Sequence, residues 1–232
     1  VNRWEACFEE ATKYKVTSYV AADKKFDEKY TGDSYSNGKT KDGSYIMAIS
    51  DGMGSGKGAG TESKMAIEIM EKFIELGFDD VIAINTINSI IGIKFDEEEK
   101  FATLDMQKID LYNGKVKFMK VGAVESFIKR KEDVEVINSN SLPFGVLDRV
   151  DIDIVEKNVK NGDLIISISD GILDNKENSS FNVEWLVNFL ENTNIKQPKD
   201  LAISILKKAK EFNEGKAKDD MTIIVIKVKK IK

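Results

Sequence analysis

Histidine is absent from all 232 residues. That absence excludes Ser-His-Asp and Cys-His catalysis, histidine metal ligation and histidine proton shuttles. The single cysteine, Cys7, permits neither an intrachain disulfide nor a Cys-rich zinc site. Proline occurs only at Pro143 and Pro198, and no Pro/Gly/Ser-rich linker divides the chain. Arginine occurs only at Arg3, Arg130 and Arg149, so the cations are nearly all lysine. No stretch approaches 18 apolar residues, so no membrane-spanning helix is expected. No signal peptide is visible. The first residue is Val1 rather than Met, which suggests a fragment whose missing part holds a membrane anchor.

What remains for catalysis is carboxylates, hydroxyls, lysines and backbone. With 40 Asp and Glu and a net charge of -5, the chain is a poor candidate for nucleic-acid binding. Its natural partner is a hard divalent cation such as Mg²⁺ or Mn²⁺. Hydrophobic residues at 41% and charged residues at 32% are those of an ordinary globular protein. The length suits one large domain, with a core that needs no staples.

The spacing of apolar residues predicts a helix over Trp4 to Tyr14 and a strand over Val16 to Ala22. Residues 30–43, rich in Gly, Ser, Asn and Lys, read as a loop. Tyr45 to Ser50 reads as a buried strand that ends at Asp51-Gly52. Helices are expected over Thr61 to Leu76, closed by Gly77, and over Asp80 to Ile91. Strand candidates follow at Ala102 to Tyr112, Val116 to Val121, Ser126 to Arg130 and Val134 to Ile137, read together as an antiparallel meander. Asn113-Gly114 is a strong hairpin signal within it. Val150 to Val159, Leu164 to Ser169 and Thr222 to Val228 are further strands; Phe181 to Leu190 and Lys199 to Phe212 are helices. That order suits two antiparallel sheets packed together with helices outside.

Carboxylates recur where predicted strands end. Asp33 lies in Gly-Asp-Ser, while Asp51 and Asp170 each follow an apolar strand as Ser-Asp-Gly. Asp219-Asp220 precede the last strand. Such clustered carboxylates face desolvation and mutual repulsion, which a cation relieves. A single Asp-Gly after a strand is usually only a turn. The repeat of the motif, with Asp219-Asp220, puts a metal site level with that reading on chemistry alone. Asp79-Asp80 and residues 96–99 read instead as a helix start and a solvated face. The glycines from Gly52 to Gly60 do not make a Walker A loop, because Asp51 and Gly58 occupy its required Gly and Ser/Thr positions. Gly54-x-Gly56-x-x-Ala59 fits a dinucleotide fingerprint only loosely, without its βαβ context.

The motifs Thr31-Gly32-Asp33-Ser34-Tyr35, Ala48 to Gly54, Ile87 to Ile90, Val121-Gly122 with Ser126 to Arg130, Ser141 to Gly145 and Asp219 to Thr222 occur in one order. Together they resemble the metal-dependent phosphatases of the protein phosphatase 2C class, in particular the phosphatase domains of the stage II sporulation protein E family. The resemblance covers about Thr12 to Val228.

It implies an α+β fold, a four-layer αββα sandwich, over residues 16–232. Residues 1–15 would be a helix or linker to a missing regulatory region. It implies two Mn²⁺ or Mg²⁺ ions roughly 3.5–4 Å apart, between which water is activated. Asp51 would bridge them, the Gly52 carbonyl would be a ligand, and Asp170 and Asp219 would complete one shell. Asp33 and Asp220 join the metal set, and Asp51, Asp170 and Asp219 are the expected catalytic carboxylates. The implied substrate is phosphoserine on an anti-sigma factor antagonist, whose dephosphorylation activates a sporulation sigma factor by partner switching. The expected location is cytoplasmic, in a larger membrane-anchored protein, with no membrane contact by this domain and a homodimer left open.

The sequence departs from the broader family in carrying Met53 where many members have histidine, and in lacking the phosphate-gripping arginine near Asp33. Lys57 is the nearest cation in sequence. The resemblance also implies that the helices after Gly60 and Asp80 act as a switch on the metal site. A two-metal phosphoesterase with another substrate, and a catalytically inactive binding module of the same fold, are the alternatives.

Overall fold

The computed structural model describes residues 10–54, 56–94, 101–174 and 183–231. Ten strands form two five-stranded antiparallel sheets. The first sheet has the order β1 (Tyr14–Asp23), β10 (Met221–Lys230), β9 (Leu164–Ile168), β6 (Ser126–Arg130), β7 (Asp133–Ile137). The second has the order β2 (Asp33–Lys39), β3 (Ser44–Asp51), β4 (Leu104–Asp110), β5 (Lys115–Val121), β8 (Asp153–Asn158). Helices α1 (Lys57–Glu75) and α2 (Asp80–Lys94) cover the second sheet, and α3 (Glu184–Asn192) and α4 (Pro198–Glu211) cover the first. The result is the expected αββα sandwich.

Strand alternation builds the layers. On β3, Tyr45, Met47 and Ile49 face the other sheet, while Ile46 and Ala48 pack on α1 and α2. On β10, Ile224, Ile226 and Val228 face inward, and Ile223 and Val225 join the α3/α4 layer. Because β3 is buried on both faces, it reads as an unbroken apolar run.

Four features differ from the sequence expectation. Residues 30–43 hold β2, a strand without an apolar run. It lies on the sheet edge, and its polar residues find partners: Ser34 bonds Ser63 of α1 at 2.9 Å, and Ser36 bonds Glu71. The meander is broken, because β5 and β6 do not pair; the chain crosses from one sheet to the other over residues 122–125. Gly122 makes that crossover at φ 60°, packed so closely on Pro143 that a side chain does not fit. Helix α1 begins at Lys57, a turn earlier than expected, running through Gly58 and Gly60. The helix expected over Trp4 to Tyr14 lies largely outside the described residues; Tyr14 already belongs to β1, two residues before the expected domain start. Residues 96–99 also lie outside them.

Other signals hold among the described residues; the start of the helix expected from Phe181 lies outside them. Gly77 follows α1 at φ 75° and donates its N–H to the Ile74 carbonyl. Gly114 turns β4 into β5 at φ 76°. Asp79 caps α2, accepting the Val81 and Ile82 N–H groups at 3.0 and 3.2 Å. Among the described residues, no helix is long and apolar enough to cross a membrane.

Candidate metal centre

The two Ser-Asp-Gly motifs end neighbouring layers of the sandwich at the same edge. Asp51 closes β3, and Asp170 opens a short 3₁₀ turn after β9. In each motif the serine fixes the strand end. Ser50 donates to the Thr103 carbonyl at 2.7 Å, and Ser169 accepts the Thr222 N–H at 2.8 Å. The glycine is needed for close approach. A Cβ on Gly52 would sit 2.0 Å from the Ala59 carbonyl oxygen of α1, and one on Gly171 would sit 2.1 Å from the Asp220 carbonyl oxygen. The motif therefore brings the Asp51 backbone against a helix start and the Asp170 backbone against Asp219-Asp220.

Asp33 is the register partner of Asp51. Alternation along β3 puts Asp51 on the face of Tyr45, Met47 and Ile49, which looks into the space between the sheets. Asp33 is 5% exposed, and neither of its carboxylate oxygens has a hydrogen-bond partner. The Thr222 and Ser169 hydroxyls lie beside it and ease its charge. Asp220 is differently occupied: its two oxygens accept the backbone N–H groups of Lys25 at 2.9 Å and Gly32 at 2.7 Å. It anchors the loop that carries Asp33.

Electrostatics follow from this crowding. Burial, followed by the charges of Asp170 and Asp33, pushes Asp51 up to about 10. The Asp51 carboxyl, beside that of Asp170, is therefore held toward its neutral form. Burial pushes Asp33 up to about 6, with Asp220 and Asp170 adding to it. Asp170 and Asp219 are also raised, chiefly by burial. Among the described residues no three such side chains close on one point as a finished cage. The unpartnered oxygens of Asp33 and the crowded carboxyls of Asp51 and Asp170 are a hard-oxygen donor set with unmet demand, which suits a hard divalent cation.

The structure thus brings Asp33, Asp51, Gly52, Asp170, Asp219 and Asp220 to one edge, with Asp33 and Asp51 from one sheet and the rest of the carboxylates from the other. An open groove of about 630 Å³ runs from Asp33 past Tyr30, Lys57, Thr61 and Met65. Lys57 is exposed at its side. Sequence reasoning missed Lys25, whose charge lowers the carboxyl of Asp219. It also missed Thr222 and Ser169 beside Asp33. Lys25 carries no motif; only the fold of the β1–β2 loop brings it there.

A family model described as Stage II sporulation protein E matches residues 41–229. The Stage II sporulation protein E of Bacillus subtilis (strain 168) is 35% identical over 221 residues, which is 95% of this chain and 27% of that protein. The chain thus spans about a quarter of that curated relative. A solved structure of the PP2C phosphatase domain and a fragment of the regulatory domain of the Bacillus subtilis protein superposes with a TM-score of 0.88 at 34% identity. It matches 96% of this chain and 65% of that one. RsbX in complex with magnesium shares the fold, with a TM-score of 0.70 at 20% identity over 94% of this chain and 98% of that one.

Proposed function

The chain belongs to the stage II sporulation protein E family and is a PP2C-type serine/threonine phosphatase domain; from that premise we propose that it hydrolyses phosphoserine on an anti-sigma factor antagonist, so activating a sporulation sigma factor by partner switching. The observation that carries the metal-dependent chemistry is the set of raised carboxyls from two sheets, with Asp33 buried and unpartnered. The family resemblance and a magnesium complex of RsbX point the same way.

Asp33, Asp51, the Gly52 carbonyl, Asp170 and Asp219 would hold two Mn²⁺ or Mg²⁺ ions. Such ions, when bound, supply water that ionises near neutral pH and positive charge for the phosphoryl oxygens. Asp220 positions rather than reaches: by holding the Gly32 and Lys25 N–H groups it fixes Asp33 opposite Asp51. Asp51, held toward its neutral form without a cation, would serve as a ligand in its ionised form. Lys25 adds a cation at the Asp219 side of the site. The chain offers no histidine to activate a side-chain hydroxyl, and no side-chain nucleophile is assigned. Water attacks phosphorus directly, the phosphorus–oxygen bond to serine breaks, one proton of the water passes to the serine oxygen, and phosphate and free serine result. The groove beside Asp33 receives the chain flanking the phosphoserine.

This domain is read as the cytoplasmic portion of a longer, membrane-anchored protein. The test is phosphate release from a serine-phosphorylated anti-sigma factor antagonist against release from a small phosphate ester. Strong preference for the phosphoprotein supports the reading. Equal turnover favours a two-metal phosphoesterase of another substrate. No release from either, together with no metal binding, favours a binding module.

A further inference from the structure

The crossover between β5 and β6 is flanked by two residues that meet inside the sandwich. Lys120, the penultimate residue of β5, is 0% exposed, and so is Ser126, the first residue of β6. The Lys120 Nζ donates to Ser126 Oγ at 2.7 Å and to Asp105 Oδ1 of β4 at 2.6 Å. Ser126 donates to Asp105 Oδ2 at 2.6 Å, and the Gln107 amide donates to Asp105 Oδ1 at 2.6 Å. Ser167 of β9 approaches Ser126 at 3.4 Å. Lys120 and Asp105 belong to one sheet; Ser126 and Ser167 belong to the other.

A buried ion pair is a poor choice where only stability matters, since apolar residues fill such a space at least as well. Its advantage is a fixed geometry. Here the geometry fixed is the gap between the sheets beside the carboxylates. Asp105 pairs in register with Ile49, two residues before Asp51. Ser126 pairs with Ser167, three residues before Asp170. On the other flank of the site, Asp220 ties the sheets through Gly32. The carboxylates thus lie between two polar ties.

We infer that the Lys120–Asp105–Ser126 cluster sets the spacing of the two sheets that brings the Asp51 and Asp170 carboxyls together. The inference rests on the metal-dependent reading above. None of the three residues touches the carboxylates of the site; they act through the strands that carry them.

The test is Mn²⁺ titration by calorimetry of the whole domain and of Ser126→Ala, which keeps the Lys120–Asp105 pair and removes only the cross-sheet hydroxyl. Outer-shell partners typically set metal affinity by 10–100-fold, and a tie one strand removed is expected to raise the Mn²⁺ Kd about tenfold. Ser126→Thr, which restores a hydroxyl, should recover most of that loss. Lys129→Met is the structural control: Lys129 lies on the same strand, nearly buried, and bonds the Leu190 and Lys131 carbonyls away from the site. It should lower the melting temperature and leave the Mn²⁺ Kd unchanged. Ser126→Ala binding Mn²⁺ as the unaltered domain does, or Lys129→Met weakening Mn²⁺ equally, would overturn the inference while leaving the metal reading intact. Failure of the unaltered domain to bind Mn²⁺ would overturn both.

Discussion

Asp33 stands directly opposite Asp51 across the β2–β3 pair. Like charges so placed in an antiparallel sheet repel, and burial sharpens the repulsion. The fold tolerates this at one edge of the sandwich, where the Asp170 and Asp219 side chains arrive from the other sheet.

Stability of the metal-free domain should therefore fall as pH rises from 5 to 8. The folded values of Asp33 and Asp51, about 6 and about 10, lie above the ordinary 3.8. Between those limits the folded state holds more protons than the unfolded state, so unfolding becomes easier with rising pH. Carboxyls held low, such as Asp42, Glu135 and Asp153, act the other way only at more acid pH. Melting in EDTA across this range reads the slope. Asp51→Asn should flatten it, and a rising melting temperature in the parent domain would contradict the assignment.

Asp51→Asn should also stabilise the metal-free fold near neutral pH, by about 1–3 kcal/mol, because a neutral amide needs no proton uptake on folding. The same change should abolish metal-dependent phosphate release. Denaturant unfolding in EDTA, alongside a turnover assay, separates the two effects.

Gly52→Ala should cost about 1–3 kcal/mol, since its methyl would have to displace the Ala59 backbone of α1. Gly58→Ala is the contrast. A Cβ there meets nothing within 4 Å, and the residue lies in α1, so the change should stabilise by up to about 1 kcal/mol. Thermal melts of both variants check the pair; a tolerated Gly52→Ala would mean that the α1 start does not press on the metal loop.

The same contact predicts a response of α1 to metal. Amide hydrogen exchange over the first turns of α1 should slow when Mn²⁺ is added. Equal protection with and without metal would count against a link between this helix and the site.

The sandwich was legible in the sequence because its inner strands are apolar on both faces and its turns carry Asn113-Gly114 and Gly77. β2 was not, because its side chains answer to partners across α1 rather than to a periodic core. The sheet change after Gly122 was hidden for a similar reason. Nothing local in Val116 to Ile137 says which strands pair. The Ser-Asp-Gly repeats marked Asp51 and Asp170 directly. The double anchorage of Asp220, the approach of Lys25 and the buried Lys120 cluster are products of topology, which brings together residues distant in sequence.

The most direct measurement is the number of Mn²⁺ ions bound per chain, by calorimetry, for the domain and for Asp170→Asn. The account predicts two ions for the domain, and fewer or much weaker binding for the variant. No binding at millimolar Mn²⁺, or identical binding by Asp170→Asn, would contradict it.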